Sequence, residues 1–121
     1  MMRVAIFVSV ALLAALSARL AGAQTAEQLL QSCEPEGREI ERVDLHQTVC
    51  RHYLSAVAST HQFMVITVNA TPIFCAPDEI TRDQVRRIFV KWATGNPEYL
   101  HYGAVTAALA AFSEAYPCAD P

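Results

Sequence analysis

The chain predicts an all-α fold, a small up-down four-helix domain stapled by two disulfides, and three observations carry that expectation. Apolar residues recur at helical spacing through most of its length, Ser/Thr/Asp-type starts precede those runs, and four cysteines are spread widely along 121 residues.

The first 23 residues read as an export signal. Met1 to Arg3 form a short positive start, Val4 to Leu16 an apolar run broken only by Ser9, and Ala21-Gly22-Ala23 a small-x-small cleavage pattern. A membrane-spanning helix wants about 20 apolar residues, and Arg19 and the Ala-Gly-Ala group interrupt before that length. Cleavage after Ala23 leaves residues 24–121 as one domain of 98 residues and, by removing Arg3 and Arg19, takes the net charge from −3 to −5. No membrane association is expected once the signal is gone.

The first helix is expected over Ala26–Cys33, where Leu29, Leu30 and Cys33 fall at i, i+1 and i+4, with Pro35 and Gly37 ending it. After a charged loop to Arg42, Asp44-Leu45-His46-Gln47 offers a cap and a reach-back residue for a second helix. Val49, Cys50, Tyr53, Leu54, Val57 and Ala58 mark its apolar side. Phe63 to Val68 is β-branched enough to favour a strand locally, but no partner strand is evident, so the helix is expected to reach Val68 before Thr71-Pro72 breaks the chain.

The third helix has the clearest start: Thr81-Arg82-Asp83-Gln84 is a capping box, with Ile80 placed to staple on Val85. Val85, Ile88, Phe89 and Trp92 then share one face. Gly95 is expected to stop it and Asn96-Pro97 to restart a helix at once, giving a very tight turn and a fourth helix to about Tyr116. Leu100, Ala104, Val105, Ala108, Leu109 and Phe112 are its expected buried stripe.

A domain this small gains little from its core alone, and all four cysteines lie in the exported part, where disulfides persist. Up-down order puts Cys33 and Cys50 at one end of the bundle and Cys75 and Cys118 at the other. Pairing Cys50 with Cys75 fails because about 18 helical residues hold them roughly 27 Å apart, whereas a disulfide needs Cα atoms within about 7 Å. By loop entropy the Cys75–Cys118 bridge contributes about 4 kcal/mol and Cys33–Cys50 about 3.

Chemistry has no visible seat. G-x-S-x-G, H-E-x-x-H, P-loop, dinucleotide and C-x-x-C-H patterns are all missing, so neither catalysis nor a cofactor is expected. Neither C-x-x-C nor H-x-x-x-H spacing occurs for zinc, and His46 with Cys50, four apart on one helix, is better read through the disulfide. His46, His52, His61 and His101 read as surface or packing residues, lacking an oriented partner. The acidic balance argues against nucleic acid, and Arg82, Arg86, Arg87 and Lys91 read first as a solvated helix face. Asn69-Ala70-Thr71 is a glycosylation sequon followed by Pro72 and is assigned no role. Trp92, Tyr99, Tyr102 and Tyr116 crowd the last two helices, with Tyr99 and Tyr102 the ones helical phase can leave exposed as interface anchors.

The order Cys33, Cys50-Arg51-His52-Tyr53, Phe74-Cys75-Ala76-Pro77, Asn96-Pro97-Glu98-Tyr99-Leu100-His101 and Tyr116-Pro117-Cys118 resembles the Rap/Tai immunity protein family of bacterial type VI secretion. The similarity spans nearly all of residues 24–121. It implies a small helical, disulfide-bonded periplasmic protein, commonly a homodimer, that binds and blocks a peptidoglycan amidase effector delivered by neighbouring cells. The chain departs from the family's Cys-x-Gly-Tyr, which has a further glycine one turn on, by carrying His52 and Ala56, so a close helix contact is expected to differ. Blocking a cleft calls for a rigid protrusion, and Thr94, Gly95, Asn96 and Tyr99, beside the basic face of the third helix, are the expected partner-binding residues. The alternatives are a periplasmic acid-stress chaperone of the HdeA-like kind, also small, helical, exported and disulfide-bonded, and an orphan helical binding module without a toxin partner.

Overall fold

A computed structural model describes residues 24–34 and 40–119, with side chains from residue 43 onward in the second helix. The expected signal, its cleavage point and the Pro35–Gly37 stop lie outside the described residues. Within them the chain forms helices α1 (Ala26–Cys33), α2 (Ile40–Val68), α3 (Arg82–Gly95) and α4 (Ala104–Ala115), with a single 3₁₀ turn at Pro97–Tyr99 between the last two. Every one of the four helices packs against the other three.

Helix α1 starts on a capping box in which Thr25 Oγ1 accepts from the Gln28 N–H and Gln28 Oε1 accepts from the Thr25 N–H. The same Thr-x-x-Gln pattern starts α3, where Thr81 and Gln84 exchange bonds of 2.7 and 3.2 Å. Helix α2 begins at Ile40, four residues before the expected Asp44 start. Asp44 therefore lies inside the helix, one helix face along from Arg51, with which it pairs at 3.8 Å. The β-branched run stays helical to Val68, and Asn69 closes the helix in the left-handed region at φ 54°, which asparagine tolerates better than most residues.

The restart at Asn96-Pro97 yields only a single 3₁₀ turn, and the fourth α-helix does not begin there. Asn96 Nδ2 turns back to donate to the Trp92 carbonyl at 2.8 Å, so its side chain finishes α3 and makes no forward cap, and only its carbonyl serves the 3₁₀ turn. The carbonyls of Leu100 and Tyr102 are used elsewhere: they accept from the Glu27 and Ala26 N–H groups at 3.0 and 2.8 Å. A continuous helix would commit those same oxygens to its own ladder. The chain instead caps the free N–H groups of α1, and Ala104 N–H donates to the Gln24 carbonyl at 2.8 Å beside an antiparallel bridge between Thr25 and Gly103. Helix α4 then starts at Ala104.

The core is built on Leu29, Leu54, Phe89 and Phe112, with small residues where helices approach closely: Ala26, Ala93, Ala104, Ala107, Ala108 and Ala111 are all buried. The expected core positions Val49 and Val105 are about half exposed, at 54% and 48%. Leu100 and Leu109 are only partly buried against the core. Val105 faces out because starting α4 at Ala104 leaves Ala104, Ala107, Ala108, Ala111 and Phe112 to form the buried stripe.

Both expected disulfides are present. Cys33–Cys50 is fully buried and joins α1 to the middle of α2, while Cys75–Cys118 ties the segment before α3 to the chain beyond α4. There is no free cysteine among the described residues. Because α2 starts early, Cys50 lies well inside it, and α2, about 43 Å long, is about twice the length of the next longest helix.

Candidate functional site

The residues expected to meet a partner form one turn. Thr94 and Gly95 are exposed at the end of α3, Asn96 is half-buried, and Pro97–Tyr99 wraps into the 3₁₀ turn, where Tyr99 N–H donates to the Asn96 carbonyl at 3.1 Å. Gly95 is not in the left-handed region, and a Cβ there would meet nothing within 4 Å. The turn therefore does not depend on glycine.

What distinguishes the turn is its aromatic lining. Trp92 and Tyr99 stack at 6.1 Å and 17°, Tyr99 and Tyr102 follow at 5.4 Å, and His101 meets Tyr102 edge-on at 4.6 Å. Tyr99 and Tyr102 remain 39% and 43% exposed, so the row forms an outward strip whose rings are held by one another. The backbone of Tyr102 is fixed from behind by its bond to α1. Sequence reading picked out Tyr99, and Tyr102 only as an exposed aromatic; their stacking depends on the broken helix and was not visible.

The basic face beside the turn is smaller than expected. Arg86 is largely buried, paired with Asp83 at 3.0 Å and donating to the Cys33 carbonyl at 3.4 Å, so it serves the fold. Arg87 also pairs with Asp83, at 2.6 Å. The Arg86 hydrogen bond, aided by the charge of both arginines, holds the Asp83 carboxyl below its ordinary value. Of the four cations only Lys91 lies near the Thr94–Tyr99 end of α3.

Two clefts flank the C-terminal half of α2. One, of about 550 Å³, lies against residues 72–82 and mixes Ser59, Gln62, Asp78 and Arg82 with Phe74 and Val85. The other, of about 490 Å³, is apolar, lined by Tyr53, Val57, Met64, Ile73, Val105 and Leu109. His61 borders both. Burial raises the Tyr53 phenol above its ordinary value. Among the described residues no three His, Cys, Asp or Glu side chains converge to hold a metal, and no helix is long and apolar enough to cross a membrane.

His52 and Ala56, where the sequence departs from the glycine pattern, are both exposed on α2. The contact those glycines would serve is therefore not made within one chain. They belong to a longer exposed row: Leu45, Val49, His52, Ala56, Ser59, Phe63 and Ile66 alternate at spacings of four and three, and every one is exposed. That is the spacing of a helix–helix seam, and no helix among the described residues is seated on it.

A family model described as Rap1a immunity proteins matches residues 25–118. No curated protein and no solved structure gives a significant match.

Proposed function

Because this chain belongs to the Rap1a immunity protein family, an immunity-type role toward a secreted effector follows, and we propose that the effector is a peptidoglycan amidase whose active site the protein covers. The working form is the periplasmic domain left after cleavage behind Ala23. It acts by binding and needs no catalytic residue of its own.

The aromatic strip at the 94–102 turn carries this reading. Exposed tyrosines are strong interface anchors, and rings already ordered by stacking lose less entropy on docking. Thr94, Gly95 and Asn96 supply the protruding edge, and Tyr99 and Tyr102 the contact. The test is calorimetric titration of the amidase with the parent domain and with the Tyr99→Ala, Tyr102→Ala double variant. The expected loss is at least about 30-fold in affinity, with the circular dichroism spectrum unchanged. Unchanged affinity in that variant places the docking surface elsewhere.

A homodimer is the second part of the proposal, and a second copy is the occupant we assign to the exposed seam of α2. Its residues are self-complementary when two such helices run antiparallel. Leu45 then faces Ile66, Val49 faces Phe63, His52 faces Ser59, and Ala56 meets its own copy at the two-fold axis, where small side chains allow close approach. An isologous interface requires such reciprocity.

The acid-stress chaperone reading draws its support from the apolar groove. The two are separated by assay: an immunity protein forms a stoichiometric complex with one enzyme at neutral pH, and a chaperone suppresses aggregation of many clients after acidification.

A further inference from the structure

The chain from Asn69 to Cys75 doubles back along α2 as a strap and divides the two clefts: Ala70, Thr71 and Ile73 line the apolar one, Pro72, Phe74 and Cys75 the mixed one. Its ends are fixed. Ala70 N–H donates to the Met64 carbonyl at 3.2 Å, and Cys75 is held by its disulfide and by a 2.9 Å bond from its N–H to the Tyr116 carbonyl. Between those ends, His61 supplies a hydrogen bond and a ring contact that tie the strap to α2. Its Nε2 accepts the Ile73 backbone N–H at 2.9 Å, and its ring stacks on Phe74 at 4.1 Å and 20°. Phe74, 6% exposed, in turn meets Phe112 edge-on at 5.3 Å.

We propose that this strap is a pH-sensitive latch, closed while the His61 ring is neutral and released when Nε2 takes a proton. The accepting nitrogen is the reason. A neutral imidazole with its proton on Nδ1 can receive the Ile73 N–H; an imidazolium has donors on both nitrogens and sets N–H against N–H. Release frees Thr71 to Ile73 and removes the partition between the apolar and the mixed cleft along α2.

Few groups around His61 oppose this. On α2 itself, Tyr53 stays neutral throughout the relevant range. Asp78, before α3, and Arg82, on α3, border the mixed cleft with opposite charges. Helix α4 contributes the apolar Val105, Leu109 and Phe112, and Cys75 and Cys118 are tied in their bridge. Burial lowers His61 below its ordinary value near 6.5. With the latched value depressed, the closed state is favoured fully above about pH 6.5 and loses ground as pH falls, by up to about tenfold per pH unit until the latched value is reached. The latch depends on neither the effector reading nor the dimer.

The test is amide hydrogen exchange by NMR on the disulfide-bonded domain from about pH 7.5 to about pH 4.5, read as protection factors so that the intrinsic pH dependence of exchange is removed. Protection at Ile73 is expected to fall by up to about tenfold per unit below about pH 6.5 while that of Phe112 holds. In His61→Gln, which keeps an acceptor and does not titrate, the Ile73 profile is expected to be flat. In His61→Phe, which keeps the stack and loses the acceptor, protection is expected to be low at every pH. A flat Ile73 profile in the parent chain overturns the proposal, as does a His61→Gln variant with the parent's slope; the parent profile alone decides should a variant fail to fold.

Discussion

At the scale of single residues, the core rests on a few large side chains surrounded by alanine. Phe112 is fully buried, touches Phe74 and sits on the stripe by which α4 meets the other helices. Neighbouring alanines have no length with which to fill a hole, so Phe112→Ala is expected to cost about 3–5 kcal/mol, read as a lowered urea midpoint. Val105→Ala, seven positions earlier on the same helix, is expected to change stability by less than about 0.5 kcal/mol, because its side chain is already half in water. A sequence stripe that joins the two as equals is corrected by one fact, the start of α4 at Ala104. A long-range bond separates the arginines, since Arg86 reaches across to the Cys33 carbonyl and leaves the surface that charge counting assigns it.

At the scale of elements, legibility followed locality. The Thr81 capping box and the extent of α1 were readable because each is decided within a few residues, whereas the β-branched end of α2 read as helix only because the rest of the chain offers no partner strand. Thr81→Ala is accordingly expected to cost about 1 kcal/mol in thermal or urea denaturation, with Thr81→Ser close to neutral. Both disulfides were readable too, because helix lengths restrict which cysteines can meet. What could not be read was decided at long range. Helix four starts late because the Leu100 and Tyr102 carbonyls serve α1, a competition no window around residue 100 contains. The aromatic strip follows from that break, and of its rings only Tyr99 and Tyr102 stood out beforehand as exposed. The bridges also differ in a way spacing does not reveal: Cys33–Cys50 is buried, whereas Cys75 is exposed. Brief treatment with a mild reductant, followed by alkylation and mass spectrometry, is expected to label Cys75 and Cys118 well before Cys33 and Cys50.

At the scale of the whole molecule, one helix outgrows the body it supports. About twice as long as the next longest helix, α2 carries Leu45 and Val49 on one side of its midpoint and Phe63 and Ile66 on the other, all more than half exposed. Placing a charge in that row is expected to remove self-association without unfolding the chain. Phe63→Asp should therefore sediment as a monomer at concentrations where the parent sediments as a dimer, with its melting curve otherwise retained. Identical sedimentation of the two would exclude this face. The bonding between Gln24–Glu27 and Leu100–Ala104 bears on how such a chain is made. A polypeptide emerges from its N-terminus, so α1 arrives first and must wait for nearly the entire remainder before its capping oxygens exist. The Cys33–Cys50 link can form early, but the opening helix has no finished seat until the last helix begins to appear. The finished seat of α1 therefore waits on the making of residues 100–104, however early its own turns form.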